Sequence, residues 1–86
     1  MIITFTELFK EKAKALPSDV KKVLKQKLIL MAENPQHPSL RSKKIKGCSD
    51  LFEASVTMGI RLTWQYREGG IILRNIGEYD QTLARP

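Results

Sequence analysis

The chain has 86 residues, which is room for one small domain spanning 1–86 and no second. Fifteen Lys and Arg against nine Asp and Glu leave a formal net charge of +6, while 42% hydrophobic residues is too many for an intrinsically disordered segment. These figures exclude a dinucleotide-binding enzyme, a membrane-spanning helix and, with Cys48 alone, a disulfide scaffold or a zinc site; they point to a polyanionic partner, either nucleic acid or an acidic protein.

In chain order, Met1-Ile2-Ile3-Thr4-Phe5 is short and β-branched, as in a brief strand. It lacks the basic n-region of a secretory signal, so a soluble, cytoplasmic protein is expected. Phe5, Leu8, Phe9, Ala13 and Leu16 then recur at helical spacing. Thr6 is the preferred cap, because a capping box at Thr4 would shorten the strand. Pro17 ends this helix and Ser18 is expected to cap the next, which runs to about Asn34. Val20, Val23, Leu24, Leu28, Met31 and Ala32 form its apolar stripe, and the short link predicts an antiparallel helical hairpin.

The rest reads as strands. Residues 40–46 alternate loosely, and Gly47-Cys48-Ser49-Asp50 is a turn. Residues 51–57 place Phe52, Ala54 and Val56 on one face and Glu53, Ser55 and Thr57 on the other. After a turn at Met58-Gly59, residues 60–67 set Ile60, Leu62, Trp64 and Tyr66 against Arg61, Thr63, Gln65 and Arg67. A hairpin turn at Glu68-Gly69-Gly70 precedes residues 71–76, an almost wholly apolar strand expected inside a sheet; a tail follows. The order β-α-α-β-β-β predicts an α+β domain with a helical hairpin packed on one face of a small antiparallel sheet. The other face, carrying Arg61, is then open.

No Gly-rich phosphate loop, metal-ligand cluster or Cys/His nucleophile pair is present, so neither metal nor cofactor is expected. Arg41, Lys43, Lys44 and Lys46 place four cations in six residues. Such a run is either a solvated strand edge or a nucleic-acid contact. RNA cleavage without a metal needs a base for the 2′-OH, cations for the pentacoordinate phosphorane and an acid for the leaving 5′-oxygen. Arginine suits the second role because its planar fork binds two phosphate oxygens and stays charged. Trp64 and Tyr66 are aromatics able to stack on bases, but their alternation assigns them to the core.

Several segments together resemble the RelE/ParE superfamily of toxins from toxin–antitoxin pairs: Asn34-Pro35-Gln36-His37-Pro38-Ser39-Leu40-Arg41, Lys46-Gly47, Ile60-Arg61-Leu62-Thr63-Trp64-Gln65-Tyr66, and Ile72-Leu73-Arg74-Asn75-Ile76-Gly77-Glu78-Tyr79-Asp80. The resemblance spans the chain and implies a RelE-like, microbial-RNase-like fold. It also implies a toxin held inactive by a cognate acidic antitoxin, with operator DNA contacted only by way of that antitoxin. In the RelE and YafQ-like branches the toxin cleaves mRNA in the ribosomal A site; the ParE branch inhibits DNA gyrase, and a degenerate member would only bind its antitoxin. By the same resemblance Arg61 is the phosphate-stabilising arginine, and Lys43, Lys44 and Lys46 are basic residues that bind RNA. His37 matches the "HP" of YafQ-like toxins, where that histidine contributes to cleavage, so a catalytic role is expected of it, and Arg41 and Arg74 add to the RNA-binding set. Tyr79 stands where many relatives have histidine, with Asp80 beside it to orient Tyr79 or His37. A tyrosine hydroxyl ordinarily titrates at about 10, so base chemistry there requires neighbouring cations.

Overall fold

A computed structural model describes residues 1–86. Strand β1 (Ile2–Phe5) leads into helix α1 (Glu7–Lys14) and helix α2 (Ser18–Glu33). A single 3-10 turn over Pro38–Leu40 follows, then β2 (Lys43–Lys44), β3 (Phe52–Ser55), β4 (Ile60–Arg67), β5 (Gly70–Glu78) and helix α3 (Tyr79–Ala84). One five-stranded sheet has the order β1-β5-β4-β3-β2. The α+β class is as expected; the order is β-α-α-β-β-β-β-α, one strand and one terminal helix more than the expected β-α-α-β-β-β. Three features differ.

First, the sheet is mixed, because β1 pairs parallel with β5 while every other pair is antiparallel. The parallel pairing lets β5 be the interior strand that its apolar run calls for, with Ile71, Leu73 and Ile76 buried between neighbours on both sides. Gly70 is what permits it: a Cβ there would lie 1.8 Å from the Ile2 carbonyl oxygen. Gly70→Ala is therefore expected to push β1 off the sheet edge and cost about 1–3 kcal/mol. Lost amide-exchange protection at Ile3–Phe5, with β3 and β4 still protected, would be the signature; unchanged protection in β1 would contradict it.

Second, β2 is only two residues long. Leu40 and Ile45 are both buried but five positions apart, and a straight strand would send them to opposite faces. The chain resolves this at Arg41, which takes a left-handed backbone (φ 51°). Third, the tail forms α3, which packs across β4 and β5.

Thr6 caps α1 as expected, accepting from the Phe9 N–H at 3.0 Å. Its hydroxyl also donates to the Arg74 carbonyl at 2.6 Å, tying the helix start to the sheet. Ser18 is not a cap: it is the first helical residue, and Pro17 holds the cap position without a side-chain hydrogen bond. The core joins Phe9, Leu24, Met31 and Leu40 to Ala54, Leu62, Trp64, Leu73 and Ile76 on one face of the sheet. Trp64 is fully buried, stacked on Phe52 with centroids 4.5 Å apart. Tyr66 lies on the same face but is 52% exposed.

Candidate functional site

The second face of the sheet is polar, as alternation requires, but it is not open. Glu53, Thr63 and Asn75 are at most 5% exposed, and Thr82 of α3 is buried over them. The cause is local. Between Thr63 and Trp64 the partner on β5 jumps from Asn75 to Leu73, so Arg74 is an extra, bulged residue. The bulge breaks the alternation and sends both Arg74 and Asn75 to the polar face. There Arg74 Nη1 donates to Gln65 Oε1 at 2.5 Å, and Asn75 Nδ2 donates to the Arg85 carbonyl at 3.0 Å. The sequence does carry a trace of this: Arg74-Asn75 is a polar pair inside an apolar run.

Arg61 and Tyr79 meet at one end of this face. The Arg61 guanidinium carbon sits 5.0 Å from the centroid of the Tyr79 ring, a cation–π contact. The Tyr79 N–H donates to the Gly59 carbonyl at 3.0 Å, which fixes α3 against the β3–β4 turn. Tyr79 is 39% exposed and lines a cleft of about 410 Å³ with Gly59, Ile60, Glu78 and Asp80. Arg61 is largely withdrawn from solvent. Its Nη1 donates to the carbonyls of Thr57 (2.7 Å) and Met58 (2.8 Å), and its Nε lies 3.7 Å from Glu53 Oε1. The guanidinium thus closes the turn and neutralises a buried carboxylate.

The remaining sequence candidates divide by position. Lys43 stands opposite Glu53 in the register, in one cross-strand row with Thr63 and Asn75, so it belongs to the polar face two strands from Arg61. Lys44 pairs with Phe52 and belongs to the other face. Arg41 and Lys46 are exposed on the segments flanking β2. Arg74 lies on the polar face beside Gln65. His37 is not brought to the site. It caps the 3-10 turn, its Nδ1 accepting from the Ser39 N–H at 3.1 Å. The adjoining Gln36 side chain reaches the Tyr66 hydroxyl, on the helix-bearing face and five residues along β4 from Arg61. At the rise of a strand that is about 17 Å. Asp80 lies in the Tyr79 cleft, far from His37.

On the helical side, α1 and α2 enclose a groove of about 390 Å³. Phe5, Phe9, Leu24 and Leu28 form its apolar floor, and Lys10, Lys14, Lys21 and Lys25 its rim. No helix of the chain is long and apolar enough to cross a membrane.

No protein-family model matches this chain, and no curated protein matches it by sequence. Solved structures match it along nearly its whole length. The YafQ structure from E. coli strain BL21(DE3) aligns at TM-score 0.77 with 14% identity, covering 93% of this chain and 94% of that one. A YoeB/ParE toxin from Agrobacterium tumefaciens aligns at TM-score 0.78 with 8% identity, covering 92% and 99%. The RelB–RelE antitoxin–toxin complex from Methanococcus jannaschii aligns at TM-score 0.68 with 20% identity, covering 91% and 92%. The chain has the fold of these toxins.

Proposed function

We propose that this chain is the toxin of a toxin–antitoxin pair acting in the cytoplasm, and that it cleaves mRNA on the ribosome by attack of a 2′-OH, without a metal. One observation carries the reading: on a fold shared with RelE, YafQ and YoeB toxins, Arg61 is in contact with Tyr79, which lines a surface cleft. In this mechanism Tyr79, held by Arg61 and by its own N–H bond to Gly59, protonates the leaving 5′-oxygen as the 2′-oxygen bonds to phosphorus and the P–O5′ bond breaks, while water takes up the 2′-OH proton and restores that of Tyr79. Arg61 supplies positive charge to the phosphorane through the part of its fork not facing the turn. Lys43 contributes from the same face, while Arg41, Lys44 and Lys46 hold the RNA or ribosome from the sheet edge. No step passes through His37, given its distance from Tyr79.

The antitoxin partner follows from the lysine-rimmed groove between α1 and α2. Its apolar floor and four cations suit an acidic amphipathic segment that folds on binding.

Mapping of mRNA ends after induced expression tests the activity. The parent protein should produce cuts within open reading frames. Tyr79→Phe should lower cleavage by about a hundredfold, the usual scale for removing one acid–base group. Growth arrest with intact mRNA would overturn the nuclease reading. A second reading, a gyrase-inhibiting toxin that is no nuclease, is favoured by the engagement of Arg61 with turn carbonyls and by Glu78 and Asp80 beside Tyr79, which repel phosphate. A DNA-damage response with intact mRNA would support that reading. Unchanged growth on expression alone would leave an antitoxin-binding protein without toxicity.

A further inference from the structure

The two edges of the sheet differ. On one side β2 is two residues long, both are exposed lysines, and the left-handed Arg41 bends the chain just before it. Shortness and lysine are common means of keeping an edge from pairing with another chain. The other edge, β1, has neither. Ile2–Phe5 follows β5 in unbroken register, and from Ile2 to Thr6 no side chain is charged and none is proline. Helix α1 packs on β5, one strand inboard.

The ladder fixes which groups of β1 face outward. The Ile2 N–H donates to the Gly69 carbonyl at 3.0 Å and the Thr6 N–H to the Leu73 carbonyl at 3.1 Å, so the even-numbered residues bond to β5. The N–H and C=O groups of Ile3 and Phe5 therefore point away from the sheet, with no strand beyond them. Ile3 and Phe5 lean on the core with their side chains, while Ile2, 68% exposed, and Thr4 share the opposite face.

We propose that this edge is a self-pairing surface: two copies join antiparallel through β1, about a two-fold axis at Thr4, into one ten-stranded sheet. In that register Ile3 of each copy faces Phe5 of the other, and each facing pair exchanges two N–H to C=O bonds. Every outward donor and acceptor of the strand is then used. A shift by two residues sets Phe5 against Met1 or Ile3 against Glu7, both outside the strand. The side chains fit the same register. Ile3 with Phe5 is a β-branched residue beside an aromatic one, Thr4 meets Thr4, and the exposed Ile2 is set against Thr6. The +6 charge of each copy opposes association, but none of it lies on this strand. An uncharged edge gives an acidic partner nothing to select, whereas its own antiparallel copy satisfies it fully. Four residues a side bury less than a standard interface, so the dimer is weak and concentration-dependent.

Sedimentation of the full chain should show the mass rising from 9.8 kDa toward twice that value between about 1 µM and about 1 mM protein. The rise should grow with salt, because screening removes only the repulsion. Over the same range, amide exchange at Ile3 and Phe5 should slow severalfold, while exchange at Thr4, bonded to β5, stays constant. Thr4→Lys and Thr4→Glu should each pair more weakly than the parent, since like charges then meet across the axis. An equimolar mixture of the two variants should pair about tenfold more tightly than either alone. The measurements on the parent decide the matter if the variants do not fold. A mass that stays at 9.8 kDa up to about 1 mM would overturn the proposal and leave the edge to a strand of another chain. A dimer that loosens with salt, exchange at Ile3 and Phe5 that ignores concentration, or a mixture that pairs no better than its components would each overturn it too. Neither Arg61 nor Tyr79 takes part. A nuclease that stays monomeric therefore sinks this inference alone, and a dimer that cuts no mRNA sinks only the nuclease reading.

Discussion

An Arg61→Ala variant is expected to lose about 3 kcal/mol of folding stability, the lower end of the cost of breaking a buried ion pair. The loss has two sources. Glu53 is buried, and without the guanidinium at 3.7 Å its charge faces no cation on its own or the next strand except the exposed Lys43. The carbonyls of Thr57 and Met58 also lose the donor that closes the β3–β4 turn. Urea unfolding of Arg61→Ala and of Glu53→Gln combined with Arg61→Ala separates these sources. The double variant should recover roughly half of the loss, because it removes the stranded charge and leaves the open turn. A single variant within about 0.5 kcal/mol of the parent would show that Arg61 is not a structural residue. The consequence for function is direct. Loss of toxicity in Arg61→Ala does not distinguish chemistry from folding, whereas Tyr79→Phe keeps the ring over Arg61 and the backbone bond to Gly59, and so reports on the hydroxyl.

Trp64→Ala is expected to cost about 3–5 kcal/mol, a large share of the about 4–13 kcal/mol typical for a domain of this length. Trp64 is fully buried, stacked on Phe52 and met edge-on by Tyr66 at 5.0 Å. Truncation opens a cavity in the middle of β4, the strand that joins both halves of the sheet. Trp64→Phe should cost far less than the alanine change. It keeps an aromatic face for Phe52, and the indole N–H it deletes is buried without a hydrogen-bond partner. Thermal and denaturant unfolding of the pair give the test. A phenylalanine variant as unstable as the alanine one would mean that the indole N–H is bonded after all.

Both residues show what kind of information a sequence holds. Trp64 is legible as core and Arg61 as a polar-face residue because period-two alternation is local, carried by the neighbours in 60–67 alone. The pairing of Arg61 with Glu53 is legible too, since alternation puts both on the polar face of neighbouring strands, whereas the turn carbonyls are not, because they approach only after β3 and β4 pair. His37 shows the opposite failure. Its motif places it beside the basic run in sequence, but the 3-10 turn and the left-handed Arg41 carry the chain around the sheet edge and leave it on the other face.

By itself, the net charge of +6 on 86 residues, the Thr6 cap, the stop at Pro17 and the strand at 60–67 are properties of composition and of residues a few positions apart, and the sequence determined them. Tertiary structure decided the parallel seat of β1 beside Gly70, the folding of Tyr79–Ala84 over the polar face and, beyond the polar pair Arg74-Asn75 that hints at it, the bulge at Arg74. Each of these depends on which distant segment arrives to bury a face or satisfy a donor, and periodicity along one strand carries no record of that.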